Sequence, residues 1–196
     1  MEIKRKLMYR SDLFVAQNVG TESQREDIIS QIRVAQKIDP TGVNDSNDNC
    51  WRLMYCCEDI DWILKELEKL YDEVSQFYQS EDSFYKEAKK DELKVSYWAN
   101  VNGYNSRNVF HAHKPKHFSA VYYLQGEGTG GLRFVNPANV LTDCNIDAPF
   151  TRDFTFLPAD GDLVMWPSWM PHEVETNLSQ RERINLTFDI TVNKNV

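Results

Sequence analysis

The chain has 196 residues, and its 30 acidic side chains outnumber the 22 basic ones, which gives a formal net charge of −8. Hydrophobic residues make up 41% of the sequence and aromatic residues 12%, a composition that excludes a disordered chain and favours a globular domain. The longest apolar runs, 53–57 and 120–124, have five residues each and are too short to span a bilayer. Duplex DNA and anionic membranes bind basic surfaces, so the acidic balance disfavours both as the main partner.

The first half of the chain is predicted to be helical. Thr21 and Gln24 have the spacing of a capping box, which predicts that a helix begins here. Pro40 and Gly42 end this helix, and the polar segment that follows, 44–49, is predicted to be a loop before a short strand with the sequence CWRLMY. The residues expected on the buried face of the helix are Ile28, Ile29, Ile32 and Ala35.

A second, longer helix is predicted from about residue 60. Its apolar residues recur at the helical spacing of about 3.6 residues, which gives one face suited to packing on a core. These residues are Ile60, Ile63, Leu67, Leu70, Tyr71, Val74 and Phe77. The charged segment 81–92 that follows has no periodicity that assigns a structure.

From about Leu93 the pattern changes to short strands separated by turns rich in glycine and proline, which is typical of a sandwich, barrel or jelly roll. The strands are expected at 95–101, 109–113, 119–125, 131–135, 162–166, 172–176 and 184–192. We therefore predict a single α+β domain over 1–196. In this domain a mainly helical part, 1–92, packs on one outer face of the sheet of a β core, 93–196.

The four cysteines show neither a CxxC pair nor the spacing of a zinc ribbon. The adjacent Cys56 and Cys57 could form a disulfide only with strain, and Cys50 and Cys144 have no obvious partner in the sequence. The N-terminal segment 1–14 has basic residues but no apolar stretch, so it predicts no signal peptide. Reduced cysteines and a cytoplasmic location are therefore expected.

The histidines carry the strongest functional signal. Three of the four lie within seven residues, at His111, His113 and His117, and the fourth is His172. Residues i and i+2 of a strand point to the same face, so His111 and His113 could both reach one ion. His172 begins another predicted strand and is the natural third ligand, which would leave about three positions open on an octahedral Fe(II). His117 follows Pro115 and is expected to contact another ligand or solvent.

Arg183 is the second candidate site residue, eleven residues after His172 at the start of the segment RINLTFDI. If Arg183 and His172 lie on neighbouring strands and face the same interior, the guanidinium would be buried. A buried arginine without a carboxylate partner is costly unless an anionic ligand completes it.

This ordered set of motifs resembles the 2-oxoglutarate- and Fe(II)-dependent oxygenases, which are built on a double-stranded β-helix of the jelly-roll or cupin type. It is similar in particular to a bacterial and phage branch with an HxH motif, so a phage gene would place the protein in the host cytoplasm. The matching stretches fall within about 95–193 and read NVFHAHKPKHFSAVYYL, GGLRFVNP and PADGDLVMWPSWMPHEVETNLSQRERINLTF.

The resemblance implies roles for individual residues. The two metal histidines of the family fall on His111 and His172, and the arginine that binds the far carboxylate of 2-oxoglutarate falls on Arg183. Tyr123 matches a tyrosine that often hydrogen-bonds the same carboxylate, and Asn185, on the same strand face as Arg183, is expected to assist. His113 stands where most members have Asp or Glu, which removes one negative charge from the ligands of the iron.

The resemblance also implies the chemistry. Fe(II) and O2 would act with 2-oxoglutarate as the small-molecule cosubstrate, which is converted to succinate and CO2 while a C–H bond of a primary substrate is hydroxylated. The sequence does not identify that primary substrate.

Two alternatives remain open at this point. A metal-dependent cupin that uses no 2-oxoglutarate would have His111, His113, His117 and His172 as its metal ligands. This alternative gives Arg183 no function. A non-catalytic jelly-roll binding protein would have histidines that bind nothing. Dependence on 2-oxoglutarate separates the first alternative from the oxygenase, and stabilisation by added metal separates the second.

Overall fold

A computed structural model describes residues 11–43, 45–79, 92–136 and 153–193. The charged segment 81–91 and Cys144 lie outside the described residues, as do 1–10 of the N-terminal segment. Within the described residues, two helices and eleven strands are present: β1 Phe14–Ala16, α1 Glu22–Ile38, β2 Asn47–Asp48, β3 Trp51–Met54, α2 Asp61–Gln79, β4 Glu92–Asn102, β5 Arg107–His111, β6 Phe118–Gln125, β7 Leu132–Phe134, β8 Phe154–Phe156, β9 Leu163–Pro167, β10 His172–Val174 and β11 Arg183–Asn193.

The first helix begins where the sequence predicts. The Thr21 hydroxyl accepts a hydrogen bond from the Gln24 backbone N–H, and the Gln24 side chain accepts one from the Thr21 backbone N–H. These reciprocal bonds satisfy two donors that a helix N-terminus otherwise leaves unpaired. The backbone N–H of Asp39 closes the last turn on the Ala35 carbonyl.

The strands form two antiparallel sheets that face each other. The larger sheet has the order β1-β9-β6-β11-β4-β3, and the smaller has the order β2-β5-β10-β7-β8. Strand β11 lies in the middle of the larger sheet, paired with β6 on one side and over its full length with β4 on the other. This is the double-stranded β-helix that the resemblance implies.

Both helices pack on the outer face of the larger sheet, as predicted. Ile32 of α1 and Leu67 of α2 share one buried cluster with Leu186 and Phe188 of β11. A second apolar cluster lies between the sheets, where Trp166 meets side chains of the smaller sheet. Because successive side chains of a strand point to opposite faces, β11 contributes its even-numbered residues to the helix interface and its odd-numbered residues to the interior.

The observed strands differ from the predicted ones in two ways. The short strands β1, β2 and β8 were not expected, because two or three residues that pair through their backbone are too few to show a side-chain period. The strand expected at 109–113 instead covers Arg107–His111, so His113 lies beyond its end. Neither helix of the described chain has the length and apolar character needed to cross a membrane.

Candidate functional site

The site lies in a cavity between the two sheets. The smaller sheet contributes His111 and His172 to its wall, and the larger sheet contributes Tyr123 and Asn185. His113 lines the same cavity from the segment after β5. Five of the six residues predicted for the site are thus brought to one place.

His111 and His172 are held by strand pairing. His111 ends β5, His172 begins β10, and the two are direct partners in the antiparallel register, so their side chains point to the same face. Their ring centroids lie 4.4 Å apart. The backbone register alone therefore brings together two residues that are far apart in the sequence.

His113 reaches the same point without belonging to the strand. Its backbone N–H donates to the Ser168 carbonyl oxygen at 3.0 Å, which ties it to the turn before β10. Its ring stacks on Trp98, with centroids 5.6 Å apart and planes inclined by 13°. One ligating nitrogen from each of His111, His113 and His172 lies within 4.8 Å of the other two. The predicted convergence is present, although the strand geometry expected to produce it is wrong for His113.

The hydrogen bonds of the three rings leave the same nitrogen free in each. Nδ1 of His111 lies 2.6 Å from the Val109 carbonyl oxygen, and Nδ1 of His172 lies 2.9 Å from the Met170 carbonyl oxygen. A carbonyl oxygen only accepts, so each Nδ1 carries the proton and each Nε2 keeps a lone pair. His113 makes its Nδ1 bond at 2.6 Å to Oδ1 of Asp189. Three Nε2 atoms are thereby available to an ion.

Burial keeps the rings of His172 and His111 neutral. It lowers the pKa of His172 to about 3, because the charged ring would lose its hydration, and the neighbouring His111 lowers this pKa further. Burial also lowers the pKa of His111. A metal ion binds the neutral form of imidazole, so these two histidines need no deprotonation before they bind. Three imidazoles on one side of a cavity fit a divalent iron with open positions.

Arg183 is completely buried at the start of β11. Its Nη1 donates to the carbonyl oxygen of Thr129 at 2.6 Å, and its Nε has no partner. Burial lowers the pKa of Arg183, because the charged guanidinium loses its hydration. A buried guanidinium bonded to carbonyl oxygens, with one donor unpaired, fits a site that binds a carboxylate.

Arg183 is buried without the condition considered for it. Arg183 and His172 do not lie on neighbouring strands, because β11 belongs to the larger sheet and β10 to the smaller. The connection between these strands crosses from one sheet to the other, so proximity in the sequence does not give adjacency in a sheet. Arg183 is not one of the residues that line the cavity.

Tyr123 and Asn185 are cross-strand partners on β6 and β11. Burial raises the pKa of Tyr123 because the ionised phenol would lose its hydration, so the side chain keeps its hydroxyl proton. Oδ1 of Asn185 accepts hydrogen bonds from Asn100 Nδ2 at 2.9 Å and from Thr187 Oγ1 at 3.2 Å. These bonds orient the Asn185 amide, so its NH2 group remains to donate into the cavity.

His117 lies outside the histidine cluster, as expected. Its Nδ1 accepts a hydrogen bond from the Val192 backbone N–H at 3.1 Å. The cluster that could hold a metal in the described part of the chain contains the other three histidines. The four-ligand set of a cupin is therefore not assembled here.

Sequence reasoning missed Asp189. The signal was present, since Arg183, Asn185, Thr187 and Asp189 alternate with four apolar residues along β11. A polar residue at every second position of a strand whose other face is apolar indicates a functional interior.

Comparison with known proteins decides the family. A family model described as "Putative 2OG-Fe(II) oxygenase" matches residues 96–189. Residues 96–189 therefore belong to the 2-oxoglutarate- and Fe(II)-dependent oxygenases. Fe(II) is therefore the metal of this oxygenase, with 2-oxoglutarate and O2 as its cosubstrates. The cupin and the non-catalytic alternatives are not supported. A comparison with curated proteins found no match.

Solved structures support the fold of the oxygenase. A prolyl-4-hydroxylase from Pseudomonas putida superposes with a TM-score of 0.64 at 14% identity, over 93% of each chain. The 2-oxoglutarate-dependent carbocyclase SnoK of nogalamycin biosynthesis gives 0.63 at 13% identity, over 92% of this chain and 79% of that one. HygX from Streptomyces hygroscopicus, solved with nickel and 2-oxoglutarate, gives 0.55 at 10% identity, over 92% and 83%. Identities this low establish the fold and not the substrate.

Proposed function

We propose that the oxygenase hydroxylates a C–H bond of its primary substrate and converts 2-oxoglutarate to succinate and CO2. His111, His113 and His172 bind the iron, and Arg183, Tyr123 and Asn185 bind 2-oxoglutarate. The observation that carries the proposal is the convergence of three histidine nitrogens within 4.8 Å in the cavity. When bound, the iron supplies the oxidising chemistry with O2, and the chain supplies position and environment.

The histidines set the number of open coordination positions. His111 and His172 approach from the smaller sheet and His113 from the segment beside it, so the three would hold the iron from one side. The side toward the cavity would then stay open for the keto acid end of 2-oxoglutarate and for O2.

Arg183 binds the far carboxylate of 2-oxoglutarate. Its guanidinium is buried and makes no ion pair with a carboxylate among the described residues, so its hydrogen bonds go to carbonyl oxygens. An anionic ligand that displaces one of these bonds would form a charge-assisted hydrogen bond in a medium of low dielectric. Nε, the unpaired donor, would gain its partner at the same time.

Tyr123 and Asn185 orient the same ligand. Because burial keeps the Tyr123 phenol protonated, its hydroxyl can donate to a carboxylate oxygen. Asn185 is its direct neighbour across the sheet and donates from the adjoining position. Trp166 and the apolar residues around it exclude water from this part of the cavity, which strengthens each of these hydrogen bonds.

Anaerobic titration with Fe(II) and 2-oxoglutarate tests the proposal. We expect a visible metal-to-ligand charge-transfer band that requires both components, followed by release of succinate when O2 is admitted. Candidate substrates are those that accelerate succinate release and gain one oxygen atom. A folded, iron-loaded protein that gives no band with 2-oxoglutarate would contradict the proposal.

A further inference from the structure

Asp189 supports one of the three histidines, and only that one. Its Oδ1 lies 2.6 Å from Nδ1 of His113, and the two side chains are 14% and 9% exposed. The corresponding Nδ1 atoms of His111 and His172 face neutral backbone carbonyl groups. The cluster is therefore asymmetric in charge, with the negative group placed behind His113.

A network of hydrogen bonds fixes Asp189 in this position. The Ser119 hydroxyl donates to Oδ1 of Asp189 at 3.2 Å and lies 2.8 Å from the Ser168 hydroxyl. The Ser168 carbonyl oxygen in turn accepts the backbone N–H of His113. The side chain and the backbone of His113 are thus held by one closed set of contacts. The carboxylate cannot turn away without breaking its hydrogen bonds to His113 and Ser119.

The charge of the proposed metal ligands explains why the carboxylate contacts His113 and not another histidine. The resemblance to the oxygenases implies a carboxylate at the position of His113, so three neutral imidazoles would leave a divalent ion with one positive charge more than that arrangement. A carboxylate that accepts a hydrogen bond from a ligating imidazole makes that ligand more basic and returns part of the missing charge. Asp189 lies where such a group is needed, on the far side of the ring from the cavity.

We propose that Asp189 is a positioning residue, which supplies through His113 the negative charge that the superfamily more often supplies by direct coordination. It does so by fixing the tautomer that leaves Nε2 free and by raising the electron density of that nitrogen. This inference rests on the proposed function, because it takes His113 as a ligand of the metal. It assigns Asp189 no contact with 2-oxoglutarate or with the substrate.

Metal affinity measures this role without turnover. Binding of Mn(II) alone to the purified full chain can be followed by calorimetry, and Co(II) absorption reports the geometry of its ligands. Asp189→Asn keeps an acceptor oxygen but removes the charge, and Asp189→Ala removes both. We expect the dissociation constant to rise about 10-fold in the first variant and up to about 100-fold in the second, with a shifted Co(II) spectrum.

Two controls separate this effect from damage to the fold. Asp160→Asn makes the same change of net charge, but Asp160 binds the backbone N–H groups of Gly126 and Glu127 and has no contact with the cluster. Ser119→Ala removes one hydrogen bond to Asp189 but leaves its charge, so it should weaken Mn(II) binding by less than Asp189→Asn does. Asp160→Asn should bind Mn(II) within about 3-fold of the unmodified protein, a factor that corresponds to about 0.65 kcal/mol.

The His113→Asp background gives the sharpest test. There the new carboxylate would coordinate the metal directly and the imidazole through which Asp189 acts would be gone, so Asp189→Asn should change Mn(II) binding much less than it does with His113 in place. Unchanged affinity in Asp189→Asn and Asp189→Ala, or weakening of the same size in both backgrounds, would overturn the inference. Failure of the unmodified protein to bind Mn(II) would instead overturn the proposed function, which keeps the two outcomes distinct.

Discussion

His111 and His172 are directly opposed residues of the antiparallel strands β5 and β10, and their ring centroids lie 4.4 Å apart. This relationship is set by main-chain hydrogen bonds and is therefore present before any ion binds. An assembled pair of ligands does not have to be ordered by the metal, so little of the binding free energy is lost to conformational entropy.

Replacement of His172 by alanine should abolish metal-dependent stabilisation. A ligand that binds only the folded state at about 100 times its dissociation constant raises the free energy of unfolding by about 2.7 kcal/mol. We expect this increase in the unmodified protein with Mn(II) and almost none in His172→Ala, measured by thermal unfolding with and without the ion. His117→Ala is the matched control and should keep the increase. Equal stabilisation of His172→Ala would remove His172 from the metal site.

Replacement of Arg183 by alanine should separate the two binding events. A charge-assisted hydrogen bond contributes about 1.5–3 kcal/mol, so the affinity for 2-oxoglutarate should fall about 10- to 100-fold, while Mn(II) binding changes little. Titration of the charge-transfer band with 2-oxoglutarate measures the loss. Arg181→Ala is the control, since Arg181 pairs with Asp160 at the surface. An unaltered 2-oxoglutarate titration in Arg183→Ala would show that the anchor lies elsewhere.

The metal-free protein should become less stable below about pH 6.5. The folded pKa of His172 is lowered to about 3, whereas an unfolded histidine titrates near 6.5, so between these values the unfolded state binds one proton more. The free energy of unfolding then falls by about 1.4 kcal/mol per pH unit from this residue as the pH decreases. Urea unfolding between about pH 7 and 5 measures the slope, and His172→Gln should make it shallower. Parallel profiles for the two proteins would contradict the assignment.

Truncation of Leu67 should destabilise the fold and leave the metal site intact. Leu67 is 0% exposed in the cluster that joins α2 to the larger sheet. Leu67→Ala should cost about 2–5 kcal/mol of unfolding free energy, because it removes buried apolar contacts and leaves a cavity. Leu178→Ala, at a leucine that is 73% exposed, should cost less than about 0.5 kcal/mol. Denaturant unfolding gives both values, and a comparable loss for the two leucines would contradict the observed packing.

The sequence was informative where a pattern is local. The capping box at Thr21 predicted the start of α1, and the spacing of His111, His113 and His172 predicted a cluster that the structure assembles. It was uninformative where a contact depends on how the sheets face each other. The bond between His113 and Asp189 joins residues 76 positions apart, and no local period connects them.

The same limit applies to Arg183. It stands eleven residues after His172, but the chain crosses from the smaller sheet to the larger between them, so the two do not lie on neighbouring strands. His113 shows the reverse case, because it lies beyond the strand and still reaches the other rings through its bond to the turn at Ser168. The residue types thus predicted that the three histidines converge, although they did not predict the path of the backbone at His113.

The alternation along β11 has a consequence for evolution of the chain. Arg183, at one end of its inner face, and Asp189, three inward positions further on, are separated by about 20 Å of extended backbone. A single strand therefore sets the distance between the proposed cosubstrate anchor and the support of the metal ligand. Deletion or insertion of one residue between them would turn the apolar residues into the cavity and the polar ones toward the helices. Substitutions in this strand can be accepted one at a time, whereas a change in its length would remove the site and the helix interface together.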